Sequence, residues 1–177
     1  MNARFALIAL VLLLGSEVFA QGMPLIVPGC HNAQGRMVPY VIEHESIPTY
    51  AAAGWHPQVG PIILVNPAIA AKFSVRFNMY AYLHECGHHR LGHVTPYMDP
   101  HRKIHGIQQA KELDADCYAV AKGMELGYIR STNDLKEIGM QMIDWPEDPE
   151  HPSGEVRFKH MLTCAQRAVQ VPQGYTR

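Results

Sequence analysis

The chain has 177 residues, with 15 basic and 16 acidic side chains, a formal net charge of -1, 11 histidines and four cysteines. So even a charge balance excludes an electrostatic grip on nucleic acid or on an anionic membrane, either of which needs a basic excess. The length suits one domain with a sizeable core, and no internal repeat or low-complexity run divides it.

Residues 1–20 carry a positive charge at Arg4, an apolar run from Phe5 to Leu14 and the small-residue site Val18-Phe19-Ala20. The pattern predicts a secretory signal peptide, because the run is too short to span a bilayer. Residues 21–177 are then expected to form one exported domain, secreted or periplasmic and bacterial in its economy, without stable membrane insertion. An even number of cysteines in an exported chain predicts two disulfides among Cys30, Cys86, Cys117 and Cys164, with three connectivities open.

From Gln21 to Gly60 the chain is rich in proline and glycine, with one alternating run, Met37-Val38-Pro39-Tyr40-Val41-Ile42-Glu43. Loops around one or two edge strands are expected there. Ile62-Ile63-Leu64-Val65-Asn66 reads as a clearer strand, and Asn66 with Pro67 suits the start of a short helical turn to Phe73. Ser74 then caps a longer helix in which Phe77, Tyr80, Ala81, His84, His88 and Leu91 recur at three- and four-residue steps before Gly92.

That helix carries His84-Glu85-Cys86-Gly87-His88, which fits the HExxH pattern. At about 100° per residue, His84 and His88 lie only about 40° apart, so both imidazoles can reach one metal ion. Zinc takes neutral imidazoles readily, and Glu85 beside an open coordination position can take a proton from water. A metzincin site would need Gly at 91 and His at 94, where the chain has Leu91 and Val94, so His93 is not read as a ligand. Thr95 to Gln109 reads as a polar connection whose His101 and His105 are solvated, since no acid or cysteine completes a second metal set.

Lys111 to Val120 forms a second helical pattern, in which Glu112 and Asp116 share a face. One can bind metal while the other orients a ligating histidine. Cys86 lies about 200° round its helix from His84, and Cys117 turns away from Glu112. A Cys86–Cys117 bond across the cleft is thus disfavoured, and pairings outward to the N-terminal segment or the Cys164 helix are favoured. Further on, Gly123 and Gly127 punctuate the chain, a helix runs from Ser131 or Thr132 to about Ile143, Trp145 to Pro152 forms a stiff acidic loop, and a last helix spans Ser153 to about Ala168.

HECGH followed by ELDADCYA resembles the gluzincin zinc metallopeptidases, whose third ligand is the Glu of an ExxxD motif. It is especially similar to their minimal soluble members and to the core of the membrane-bound prenyl-protein endopeptidases. The resemblance implies a mostly helical, zincin-like α+β domain with a small mixed sheet beside the HExxH helix. It implies Zn²⁺ on His84, His88 and Glu112, Asp116 orienting His84, and Glu85 as general base in peptide hydrolysis. It also implies a peptide or protein substrate extended along an edge strand; residues 62–66 are a candidate for that edge, an ordinary core strand being the alternative.

The string His151-Pro152-Ser153-Gly154-Glu155-Val156-Arg157 resembles the HPS…ER segment of the prenyl-endopeptidase-like members, so that His151 or Arg157 is expected to stabilise an oxyanion. Val156 and Phe158 depart from that family's pattern, and a capped helix start with Arg157 solvated stands as the alternative. Tyr118 is a further donor candidate, or else core packing. A different class of function is also open: an exported zinc-binding protein without turnover, acting as a binding or assembly factor. Glu85 argues against it, because a structural zinc site has no use for a base.

Overall fold

A computed structural model of the chain describes residues 27–42, 48–96 and 105–170. The expected signal peptide lies outside them, as do His101 and the side chain of His105. Pro39 divides the alternating run expected at 37–43, because a residue without an N–H interrupts a ladder. Met37–Val38 (β2) pairs antiparallel with Cys30–His31 (β1), while Tyr40–Ile42 (β3) enters a second sheet. There β3 runs parallel, and Ala51–His56 (β4) antiparallel, to Gly60–Val65 (β5), in the order β3-β5-β4.

β5 takes the centre because nearly every position of Gly-Pro-Ile-Ile-Leu-Val is buried, whereas β3 is exposed throughout. This corrects the edge-strand expectation for residues 62–66. Residues 62–65 lie in the core strand and Asn66 caps the next helix, while the edge beside the HExxH helix is β4, within the stretch expected to hold loops around one or two edge strands.

Asn66 caps Pro67–Ala70 (α1), its side chain accepting from the Ala68 and Ile69 amides. The Ser74 hydroxyl accepts from Phe77 N at the start of Val75–Arg90 (α2), and Gly92 follows the helix with φ 75, a left-handed conformation that favours glycine. The expected single apolar face understates α2, since every residue from Phe77 to Gly87 is buried. Such a helix must satisfy its polar side chains internally: Asn78 Nδ2 donates to Ala70 O at 2.9 Å and His89 Nε2 to Ile62 O at 2.8 Å.

His105–Glu125 (α3) begins inside the stretch read as a connection. Ser131 caps Thr132–Met140 (α4), and Gly154–Gln170 (α5) closes the described fold. A Cβ at Gly154 would stand 1.6 Å from the Met142 carbonyl oxygen, so the start of α5 admits only glycine against the chain leaving α4. The assembly is an α+β fold. Cys30–Cys86 ties β1 to α2, and Cys117–Cys164 ties α3 to α5, the outward pairings expected. Among the described residues no helix is long and apolar enough to cross a membrane.

Candidate metal centre

The site forms where α2 crosses α3, and a glycine sets how near they come. A Cβ on Gly87 would lie 3.2 Å from both the Cα and the carbonyl oxygen of Ala115. Because that contact is to backbone, no side chain can swing aside to relieve it. The close crossing brings His84 and His88, one turn apart on α2, to Glu112 on α3. His84 Nε2 is 3.1 Å from Glu112 Oε2, His88 Nε2 is 3.1 Å from Glu112 Oε1, and the two Nε2 atoms are 3.1 Å apart. Donors around a tetrahedral zinc with bonds of about 2.0 Å lie about 3.3 Å from one another. Two imidazole nitrogens, each 3.1 Å from one oxygen of a shared carboxylate, fit a divalent metal of zinc's size and chemistry. The three residues form a candidate metal-ligand group, the one that the gluzincin resemblance implies.

Behind the triangle lies a buried relay. Asp116 is fully buried, and its Oδ1 accepts from His84 Nδ1 at 2.8 Å and from the Tyr80 hydroxyl at 2.5 Å. Arg157, 3% exposed, grips the same carboxylate with Nε to Oδ2 at 2.9 Å and Nη2 to Oδ1 at 2.6 Å. This corrects the reading of Arg157 as solvated, and it commits Nε and Nη2 to Asp116, so that neither of those two nitrogens is available to a substrate oxyanion. It pins Asp116, which in turn holds His84 with Nδ1 protonated and Nε2 facing the triangle.

The electrostatics match. Burial alone would raise the Asp116 carboxyl, but the Arg157 charge and hydrogen bond, with His84, hold it well below the usual carboxylate range. Burial likewise opposes ionisation of Glu112, and hydrogen bonds from His84 and His88 override it. At His84, burial disfavours the charge, yet hydrogen bonds to Asp116 and Glu112 raise the imidazole to about 10.

His93, excluded as a ligand by its spacing, still joins the site: its Nδ1 lies 3.1 Å from His88 Nδ1. Burial and the neighbouring His88 lower its pKa to about 4, so it is neutral near pH 7 and can accept from His88. His151 lines the cleft at its exposed rim, with Nδ1 3.0 Å from Asp148 Oδ2. Tyr118 packs beside Gly87, its hydroxyl 4.0 Å from Cys86 Sγ, which agrees with core packing. His160 Nε2 comes within 3.2 Å of Cys117 Sγ, but that sulfur and Cys164 are committed to their disulfide.

The triangle opens into a cleft of about 830 Å³, with β4 along one wall and the 145–152 loop opposite. In the antiparallel ladder Asn66 N donates to Tyr50 O at 3.0 Å, so Tyr50, Ala52, Gly54 and His56 pair with β5. Ala51, Ala53 and Trp55 then turn their backbone groups to the open edge. Ala53 N does donate outward, to Glu85 Oε2 at 2.7 Å. The edge strand thus holds the Glu85 carboxyl, next to the two histidines, by one oxygen. This contact escaped the sequence reading because Ala-Ala-Ala-Gly carries little strand signal; Trp55 after it was the available clue.

No protein-family model, no curated protein and no solved structure matches the chain.

Proposed function

We propose that the chain is an exported zinc-dependent metallopeptidase, as its resemblance to the gluzincins implies. The carrying observation is the Glu85 carboxyl, fixed by Ala53 N beside the His84, His88 and Glu112 triangle. A purely structural zinc site closes on four protein ligands and has no need of an adjacent carboxyl; here three ligands face an open cleft. Zinc on His84, His88 and Glu112 would supply Lewis acidity, lowering the pKa of water and polarising a peptide carbonyl.

The chain's own residues do the rest. The outward groups of β4 other than Ala53 N hydrogen-bond an extended peptide as an added strand. Glu85 takes the proton of the attacking water through the oxygen that Ala53 leaves free, then passes it to the leaving amine. Asp116, clamped by Arg157, keeps His84 in one tautomer and one orientation.

Zinc content and cleavage of an unfolded protein substrate, measured on wild type and Glu85→Gln side by side, test this reading. The expected result is one zinc in each and cleavage in the wild type alone. One zinc with no cleavage in either would favour the zinc-binding factor without turnover, and full activity in Glu85→Gln would reject its role as base.

A further inference from the structure

Tyr50 stands at the foot of β4 with its ring held by three others, Phe77 at 5.3 Å and Phe73 and Trp145 each at 5.8 Å. It is 8% exposed, yet it lines the cleft together with Glu85 and the ligand triangle. Its hydroxyl has no hydrogen-bond partner among the described residues, where no fully enclosed side-chain oxygen lacks one. The oxygen is therefore open to the cleft. Burial is the main influence raising this phenol above its ordinary pKa, against the opposing charge of Arg157 and with additions from Glu85, Asp116 and Glu112. It stays protonated and stands within electrostatic reach of the reacting groups.

Of the donors expected from sequence, Arg157 spends Nε and Nη2 on Asp116 and His151 spends Nδ1 on Asp148, while Tyr118 packs against Gly87 and Cys86. An accessible hydroxyl on a cleft-lining ring fixed by aromatic packing needs little reorganisation to meet developing charge, which is what makes such a donor effective.

We propose that the Tyr50 hydroxyl is a catalytic residue, donating a hydrogen bond to the carbonyl oxygen of the bound peptide as that oxygen becomes negative. The inference rests on the peptidase reading. As the water oxygen bonds to the carbonyl carbon, the π pair moves onto the carbonyl oxygen, and Tyr50 stabilises it without giving up its proton. The pair returns when the C–N bond breaks and the amine leaves with the proton carried by Glu85.

Tyr50→Phe keeps the ring and its packing, so zinc content and thermal midpoint should match wild type. Its kcat on a peptide substrate should fall roughly 10²-fold with KM little changed. Affinity for a phosphinic peptide, which mimics the tetrahedral anion, should fall in parallel, while affinity for acetohydroxamate, which engages only the metal, should not. Wild-type kcat and phosphinate affinity in Tyr50→Phe would overturn the assignment and leave the peptidase reading standing. An equal loss for acetohydroxamate would also overturn it, by showing that the hydroxyl supports the metal centre instead. A zinc-loaded wild type that neither cleaves peptides nor binds the phosphinate would overturn both readings together.

Discussion

Asp116 joins the metal triangle to the core, because a single carboxylate receives His84, Tyr80 and both arms of Arg157. Asp116→Asn keeps the shape but removes the charge, leaving the Arg157 cation buried without compensation. Zinc affinity is expected to fall by a factor of about 10–100, read by chelator competition. The metal-free protein should also lose about 3–5 kcal/mol, read by urea unfolding; unchanged stability would mean that Arg157 finds another partner. The Asp116 role was legible from its one-turn spacing after Glu112. The Arg157 role was not, because sequence placed it forty-one residues away on another helix, where only packing could bring the two together.

The contact between α2 and α3 rests on Gly87, whose missing side chain lets the Ala115 backbone approach. Gly87→Val should push the helices apart, costing about 1–3 kcal/mol in thermal or urea unfolding and weakening zinc retention through the longer reach to Glu112. Retention of wild-type zinc affinity would show that the triangle tolerates a wider crossing. Helix positions were readable where caps and spacing are local signals: Ser74 and Gly92 bound α2 and Ser131 caps α4 where expected, and Lys111–Val120 lies within α3, although that helix starts earlier than its pattern suggested. β4 was not readable. Alanine and glycine have weak strand preference, and a strand becomes the edge only by the order in which strands pair.

For the whole molecule, the charges at the site make stability depend on pH and metal together. His84 binds its proton more tightly folded, at about 10, than at its ordinary 6.5. Its contribution to the metal-free fold is therefore complete below pH 6.5 and is lost as pH rises towards 10. Glu112 and Asp116 are held below their ordinary 4.5 and 3.8, so their contributions are present above those values and are lost on acidification. The chelated protein should melt highest between about pH 4.5 and 6.5, with zinc abolishing the alkaline decline by replacing the His84 proton. Thermal melts across this range, with chelator and with zinc, check it; a chelated profile flat from pH 6.5 to 9.5 would show that His84 is not so held. The two disulfides, Cys30–Cys86 and Cys117–Cys164, brace this arrangement by tying each ligand helix outward. Residue spacing was enough to put His84 with His88, and Glu112 with Asp116, on shared helix faces and to set the direction of the disulfides, because helical periodicity acts within a few residues; Glu112 as the third candidate ligand and the zincin-like α+β class came with the resemblance of HECGH and ELDADCYA to the gluzincins. Tertiary structure alone decided which strand borders the cleft, that Arg157 serves Asp116 and that Tyr50 opens into the site, because each depends on contacts between segments far apart in the chain.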